Sequence, residues 1–133
     1  MKKFGILTLL TVILMSFTNT SGYQPGDKAT DFKLKSVDGK MYSMSDYKDA
    51  KGFIVVFTCN TCPYAVLYED RIEALNKKYA KLGYPVIAIM PNNVTTKPGD
   101  SMEAMQQRAK EKGFTFPYLM DVDGSGNLIV VDG

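Results

Sequence analysis

The residues best suited to chemistry are the two cysteines of the chain, Cys59 and Cys62, in the run TCNTCP at residues 58–63. Cysteines at this spacing can bring their sulfur atoms within bonding distance. At a helix start, free backbone N–H groups and the helix dipole favour the thiolate, which is the nucleophile of disulfide exchange. We therefore predict Cys59 as the attacking thiolate and Cys62 as the resolving thiol of a redox disulfide.

Three other interpretations of Cys59 and Cys62 are a structural disulfide, a pair of inert buried thiols and a metal site. A disulfide that closes so short a loop stabilises a fold only weakly. Inert thiols are not expected at a turn between a strand and a helix. The sequence contains no histidine and no third cysteine, so a tetrahedral metal site cannot be completed. We predict disulfide exchange with no metal and no cofactor.

The elements on either side of the pair place it at the edge of a sheet. Residues 53–57 (FIVVF) predict a parallel strand buried on both faces. Residues 62–82 carry apolar side chains at steps of three and four, which predicts a helix that ends at Gly83. Its apolar stripe is Ala65, Tyr68, Ile72, Leu75, Tyr79 and Leu82. Cys59 then follows the carboxyl end of a strand, where α/β sheets place their reactive groups.

The rest of the chain alternates strand and helix patterns. Residues 31–45 predict a hairpin, 85–90 a buried strand, 117–120 a short strand and 128–131 a further strand. A second helix is predicted from Asp100 or Ser101 to about Lys112, with Glu103 completing a capping box from Asp100. This order indicates an α/β fold with crossover helices and an N-terminal hairpin.

Size and charge narrow the function classes. The chain has 133 residues, 45% of them hydrophobic, which fits one packed domain. Its formal net charge is +2, with 16 basic and 14 acidic residues. This balance gives no basic surface for nucleic acid, so no nucleic-acid partner is predicted.

The first 21 residues predict a signal peptide. Lys2 and Lys3 precede an apolar run over residues 4–17, and small or polar residues follow. We expect export to the bacterial periplasm or secretion, with no stable membrane insertion after cleavage and a folded domain over residues 22–133. The alternative is an uncleaved N-terminal anchor, although the apolar run is short for a membrane span.

The sequence resembles the thioredoxin-like superfamily, and within it the redoxins of alkyl hydroperoxide reductase and thiol-specific antioxidant (AhpC/TSA) type and related exported oxidoreductases. The segments that carry the resemblance are 26–32, 37–40, 53–64, 84–89 and 113–119. It implies a thioredoxin-like fold with a central mixed sheet flanked by helices. It also implies thiol–disulfide oxidoreductase or antioxidant activity, with Cys59 and Cys62 as catalytic cysteines. Partners would be protein thiols and disulfides, or a thiol protein that acts as reductant.

Two departures from these relatives concern the site. Peroxiredoxins place a threonine three residues before their reactive cysteine, whereas Val56 stands there before Cys59. This departure argues against direct peroxidase activity. A thiol-dependent peroxidase is nevertheless the first alternative function, and a non-catalytic binding module or metallochaperone is the second. Thioredoxins bury an aspartate six residues before the first cysteine, where this chain has Phe53. Glu69 and Lys48 are the candidates for proton transfer in its place, on sequence proximity alone.

A third departure lies near the C-terminus. Relatives carry a cis-proline facing the cysteine pair, followed by further elements. One interpretation is that the chain is truncated before that proline, so that its last dozen residues are divergent or the chain is a fragment. The other makes Pro117 the cis-proline and assigns residues 118–120 and 128–131 to the last two strands. We expect the first interpretation over the second.

Overall fold

The computed structural model describes residues 24–121. This part of the chain falls into two units, residues 24–29 and residues 30–121. In the first unit, the Asp27 N–H donates to the Gln24 carbonyl (3.0 Å) across a turn. The predicted signal peptide and the predicted strand over 128–131 lie outside the described residues.

A five-stranded mixed sheet organises residues 30–121. Its strands are β1 (Leu34–Ser36), β2 (Met41–Tyr42), β3 (Ile54–Phe57), β4 (Val86–Met90) and β5 (Tyr118–Met120), in the spatial order β2-β1-β5-β4-β3. β3, β4 and β5 run parallel, whereas β1 runs antiparallel to both β2 and β5. The α/β pattern with an N-terminal hairpin is therefore confirmed.

Two helices connect the parallel strands, as predicted. They are α1 (Pro63–Tyr79), which continues as a 3₁₀ turn over Ala80–Leu82, and α2 (Met102–Lys112). Gly83 ends the first and Gly113 the second, both with left-handed backbone (φ +92° and +65°), the conformation that glycine adopts without strain. Within residues 24–121, neither helix is long and apolar enough to cross a membrane.

Strand β4 forms the centre of the core, and each of its five residues is buried. Val86, Ala88 and Met90 pack with Ile72 of α1 and Met105 of α2. The alternate residues Ile87 and Ile89 pack on the opposite face with Leu34 and Leu119. Burial on both faces is what a central parallel strand requires. Full burial of each valine, leucine, isoleucine or methionine side chain stabilises the fold by roughly 1.5–3 kcal/mol relative to exposure.

The prediction that residues 53–57 are buried on both faces is wrong. β3 is an edge strand among the described residues, and its only partner there is β4. Ile54 and Val56 contact the core beneath the helices, but Val55 and Phe57 are 39% and 59% exposed. The cluster on the opposite face is built on β1, β4 and β5 and meets the β3 segment only at Phe53.

The predicted apolar stripe of α1 is also only partly right. Ile72 is buried, whereas Tyr68 and Leu82 are exposed. Glu69 and Glu73 are buried instead, because neighbouring elements supply donors to their carboxylates. Burial of charged side chains is tolerated when they are paired and hydrogen-bonded.

Those donors come from α2 and from the segment before β5. Glu69 receives a bidentate pair of bonds from Arg108 (2.7 Å each). Glu73 receives the backbone N–H and the hydroxyl of Thr115 (2.9 and 2.8 Å). Asn76, one turn further on, donates to the Thr115 hydroxyl (3.0 Å) and accepts the Val86 N–H (3.0 Å). This polar side of α1 fixes the helix against α2 and the sheet.

Candidate active site

The cysteine pair joins β3 to α1, as predicted. The Thr58 N–H donates to the Ile89 carbonyl (2.9 Å), which continues the strand pairing up to Cys59. Cys62 is the N-cap of α1 with extended backbone, and Pro63 is the first helical residue, where its missing N–H has no cost. The Cys62 carbonyl accepts the first helical bond, from Val66 (3.0 Å). Cys59 thus follows a strand end and Cys62 begins a helix.

Both cysteines are free thiols and half-buried. Cys59 packs against the core cluster that contains Met90, Met105 and Tyr118. The core cluster therefore fixes the position of the Cys59 side chain on one side.

A buried carboxylate, that of Asp100, holds the loop between the cysteines. Asp100 is 0% exposed. Its Oδ1 accepts the backbone N–H groups of Asn60 (2.7 Å) and Thr61 (3.1 Å). Its Oδ2 accepts the Thr61 hydroxyl (2.8 Å) and the Asn92 amide (2.7 Å). Asp100 is therefore part of the site, although the sequence analysis assigned it elsewhere.

The predicted capping box from Asp100 is wrong. Ser101 caps α2, and its hydroxyl accepts the Ala104 N–H (3.3 Å). A 3₁₀ turn over Pro98–Asp100 comes just before this cap and directs the Asp100 side chain to the cysteine loop. The same bonds occupy two backbone N–H groups close to Cys59, those of Asn60 and Thr61.

The backbone of the 98–100 turn also contacts the cysteine loop. The Asn60 amide donates to the Gly99 carbonyl (3.1 Å). A Cβ on residue 99 would lie 2.7 Å from Cγ2 of Thr61, a distance too short for any side chain. Only glycine therefore lets the turn approach this closely.

Tyr118, a buried residue of β5, also bonds to Asn60. Its hydroxyl donates to Oδ1 of Asn60 (3.1 Å). Burial raises the pKa of Tyr118 above its ordinary value, and the nearby Asp100 carboxylate raises it further. The phenol therefore stays protonated and keeps its donor role.

The two candidates for proton transfer lie in different places. Glu69 is buried and paired with Arg108, and Lys112 lies 3.5 Å from the same carboxylate. Lys48 lines a cleft with Gly83 and Pro85, at the amino end of the parallel strands and away from Cys59, so that suggestion is wrong. Phe53, which stands where thioredoxins have their buried aspartate, makes an edge-to-face contact with Tyr47, with 5.5 Å between the ring centres.

The interpretation of Pro117 as a cis-proline is also wrong. Every peptide bond within residues 24–121 is trans. Pro117 lies at the amino end of β5, and its carbonyl accepts the Ala88 N–H (3.0 Å). Cys59 lies at the carboxyl ends of the same parallel strands.

The opposite side of the cysteine pair is open and apolar. A groove of about 360 Å³ runs between β3 and α1, lined by Val56, Phe57, Thr58, Tyr64, Ala65, Tyr68 and Ile72. Tyr64 and Leu67, in the first turns of α1, are largely exposed. This surface, which we call the open groove, begins one residue before Cys59.

Comparison with known proteins places this geometry in a family. A model of the AhpC/TSA family matches residues 25–127. The chain is 27% identical over 137 residues to the thiol-disulfide oxidoreductase ResA of Geobacillus thermodenitrificans, covering 91% of this chain and 72% of that protein. It is 31% identical over 100 residues to the glutathione peroxidase-like peroxiredoxin gpx1 of Schizosaccharomyces pombe, covering 74% of this chain and 62% of that protein.

The fold is thioredoxin-like. A thiol:disulfide interchange protein of the thioredoxin family from Chlorobium tepidum superposes with a TM-score of 0.61 at 21% identity, covering 85% of this chain and 90% of that one. The matched length differs among relatives, and the chain spans less than two thirds of the peroxiredoxin.

Proposed function

Because this chain belongs to the AhpC/TSA family, we propose that it is a thiol–disulfide oxidoreductase that uses Cys59 and Cys62. Its substrates would be protein or small-molecule disulfides, and a thiol protein would restore the dithiol. The observation that carries this proposal is the position of the pair, with Cys59 after a strand and Cys62 as a helix N-cap. The similarity to a protein named thiol-disulfide oxidoreductase supports it.

The reaction consists of two exchanges. The Cys59 thiolate attacks one sulfur of the substrate disulfide, forms a mixed disulfide and expels the other substrate sulfur as a thiolate, which takes up a proton. The Cys62 thiol then loses its proton and attacks the Cys59 sulfur. This step forms the Cys59–Cys62 disulfide and expels the second substrate thiolate. The substrate gains two electrons and the protein dithiol loses them.

We propose that this chemistry takes place outside the cytoplasm. The support is the charged start, short apolar run and small residues of the first 21 positions. Fractionation of cells that express the full chain, with the mass of the exported form, tests this part separately from the chemistry.

A second function, thiol-dependent peroxide reduction, is favoured by the similarity to a peroxiredoxin. Against it stands Val56, which has no hydroxyl at the position of the peroxiredoxin threonine. An assay of hydrogen peroxide consumption by the reduced protein distinguishes peroxide reduction from disulfide exchange. Consumption of peroxide at a rate comparable to disulfide exchange would favour the peroxidase.

Matched serine variants test the assigned roles. Cys62→Ser should accumulate a mixed disulfide with a model protein disulfide such as insulin, because the attacking thiol remains and the resolving thiol is gone. Cys59→Ser should form none and should lose insulin reduction. If the wild-type protein has no titratable dithiol–disulfide couple, or if the two variants exchange behaviours, the proposal is wrong.

A further inference from the structure

We propose that Asp100 is a positioning residue that biases the Cys59–Cys62 pair towards the disulfide, so that the protein donates electrons to its partners. This inference rests on the proposed function and gives a physical reason for its direction. The sequence suggested only a helix cap for Asp100, and no pattern linked it to Asn60, which lies 40 residues earlier.

The first step concerns the charge of Asp100. The side chain is fully buried, and within residues 24–121 it forms no ion pair. Its four bonds come instead from uncharged donors, two on each carboxylate oxygen. Such bonds stabilise an ionised carboxylate in a buried place, but they leave its negative charge unneutralised.

The second step concerns distance from the reactive sulfur. The Asn60 N–H that Asp100 binds belongs to the peptide unit immediately after Cys59. Tyr118, in the core cluster against which Cys59 packs, donates its hydroxyl to the Asn60 side chain. The Asp100 carboxylate and the half-buried Cys59 thiol therefore lie on the same short segment, separated by the peptide unit between Cys59 and Asn60.

The third step concerns which redox state this arrangement favours. A negative charge near a thiol opposes formation of a second negative charge on the sulfur. Asp100 also occupies the Asn60 and Thr61 N–H groups, which could otherwise bond to a thiolate. The disulfide is neutral and is unaffected by the charge. A dithiol whose thiolate is disfavoured is the stronger reductant, since a stabilised reduced form makes an oxidant.

The test compares wild type with Asp100→Asn and with a matched control, Glu73→Gln. Both changes remove a buried carboxylate that accepts a backbone N–H and a hydroxyl, but Glu73 bonds to Thr115, away from the cysteines. Each protein is equilibrated in glutathione buffers and the dithiol fraction is measured by thiol alkylation and mass. At alkaline pH, where the dithiol carries a thiolate, we expect the Asp100→Asn equilibrium to move about tenfold towards the dithiol, the factor of one pKa unit. Glu73→Gln should match wild type.

A second variant separates charge from mere loosening of the loop. Thr61→Val keeps the Asp100 charge and removes one hydroxyl donor to it. The less compensated charge should move the equilibrium towards the disulfide, opposite to Asp100→Asn. A purely structural role would move both variants in the same direction. Thr61→Val also keeps the test decisive if Asp100→Asn does not fold.

The outcomes are distinguishable from failure of the proposed function. If wild type forms no dithiol–disulfide couple, the function itself is wrong whatever Asp100 does. If wild type has the couple and folded Asp100→Asn equilibrates as wild type does, the role of Asp100 is overturned. Shifts of equal sign in Asp100→Asn and Thr61→Val overturn it too.

Discussion

The two sides of the cysteine pair are built differently. On one side, the 98–100 turn and Tyr118 hold Asn60 and Thr61 through buried hydrogen bonds. On the other side, the open groove exposes aromatic and apolar side chains, with Tyr64 76% exposed. The first side sets the geometry and charge around the thiols. The second presents apolar surface beside them, which is the kind of patch that binds other chains.

This difference predicts where substitutions destabilise the fold. Met105 is fully buried between α2 and the sheet. Met105→Ala should lower the unfolding free energy by about 2–5 kcal/mol. Tyr64→Ala in the open groove, where Tyr64 is 76% exposed, should stay within about 0.5 kcal/mol of wild type. Chemical denaturation measures both. Equal losses would show that the open side is packed in solution.

The ion pair between the helices should have the next largest effect. Arg108→Met leaves the buried Glu69 carboxylate without its bidentate partner and should cost about 3 kcal/mol. Arg71, which lies over the Tyr68 ring on the exposed side of α1, provides the control. Arg71→Met should change the unfolding free energy by less than about 0.5 kcal/mol.

The contact at Gly99 should have an intermediate effect. In Gly99→Ala the new methyl collides with Cγ2 of Thr61, and the overpacking should cost about 1–3 kcal/mol. Thr61→Ser removes that Cγ2 and keeps the hydroxyl that binds Asp100. The double variant should therefore regain most of the lost stability in the same denaturation experiment. Absence of rescue would place the cost elsewhere in the turn.

The smallest effect should depend on pH. Burial raises the pKa of Glu73, but its bonds from Thr115 and Lys77 outweigh this and hold it below the ordinary value. A lowered pKa in the folded state stabilises the protein above the unfolded-state pKa, and this stability is lost as pH falls through the folded-state value. Glu73→Gln should cost about 1 kcal/mol at neutral pH. The difference from wild type should shrink in acid, as denaturation at several pH values would show.

Local patterns predicted the elements well. The first helix ended at Gly83 and the second at Lys112, and the hairpin formed within residues 31–45, because these signals depend on neighbours in the chain. The position of Cys59 at a strand end followed from the same reasoning.

Features that depend on topology were not predictable in this way. The exposure of Phe57 reflects the place of β3 at the sheet edge, which composition does not determine. Asp100 sits before a helix, where capping is the usual role of aspartate. Its actual partners, Asn60 and Thr61, lie about 40 residues earlier. The burial of Glu69 depends equally on a distant partner, Arg108.

The pairing of β1 with β5 has a consequence for the order of folding. The Ser36 hydroxyl donates to the Tyr118 carbonyl, 82 residues later, so the hairpin must wait for β5, the last strand within residues 24–121. Closing so long a loop is entropically costly and slows completion of the sheet. If the chain is exported as we propose, this delay keeps the sheet open until β5 has been translated, and the unfolded state that translocation needs persists during synthesis.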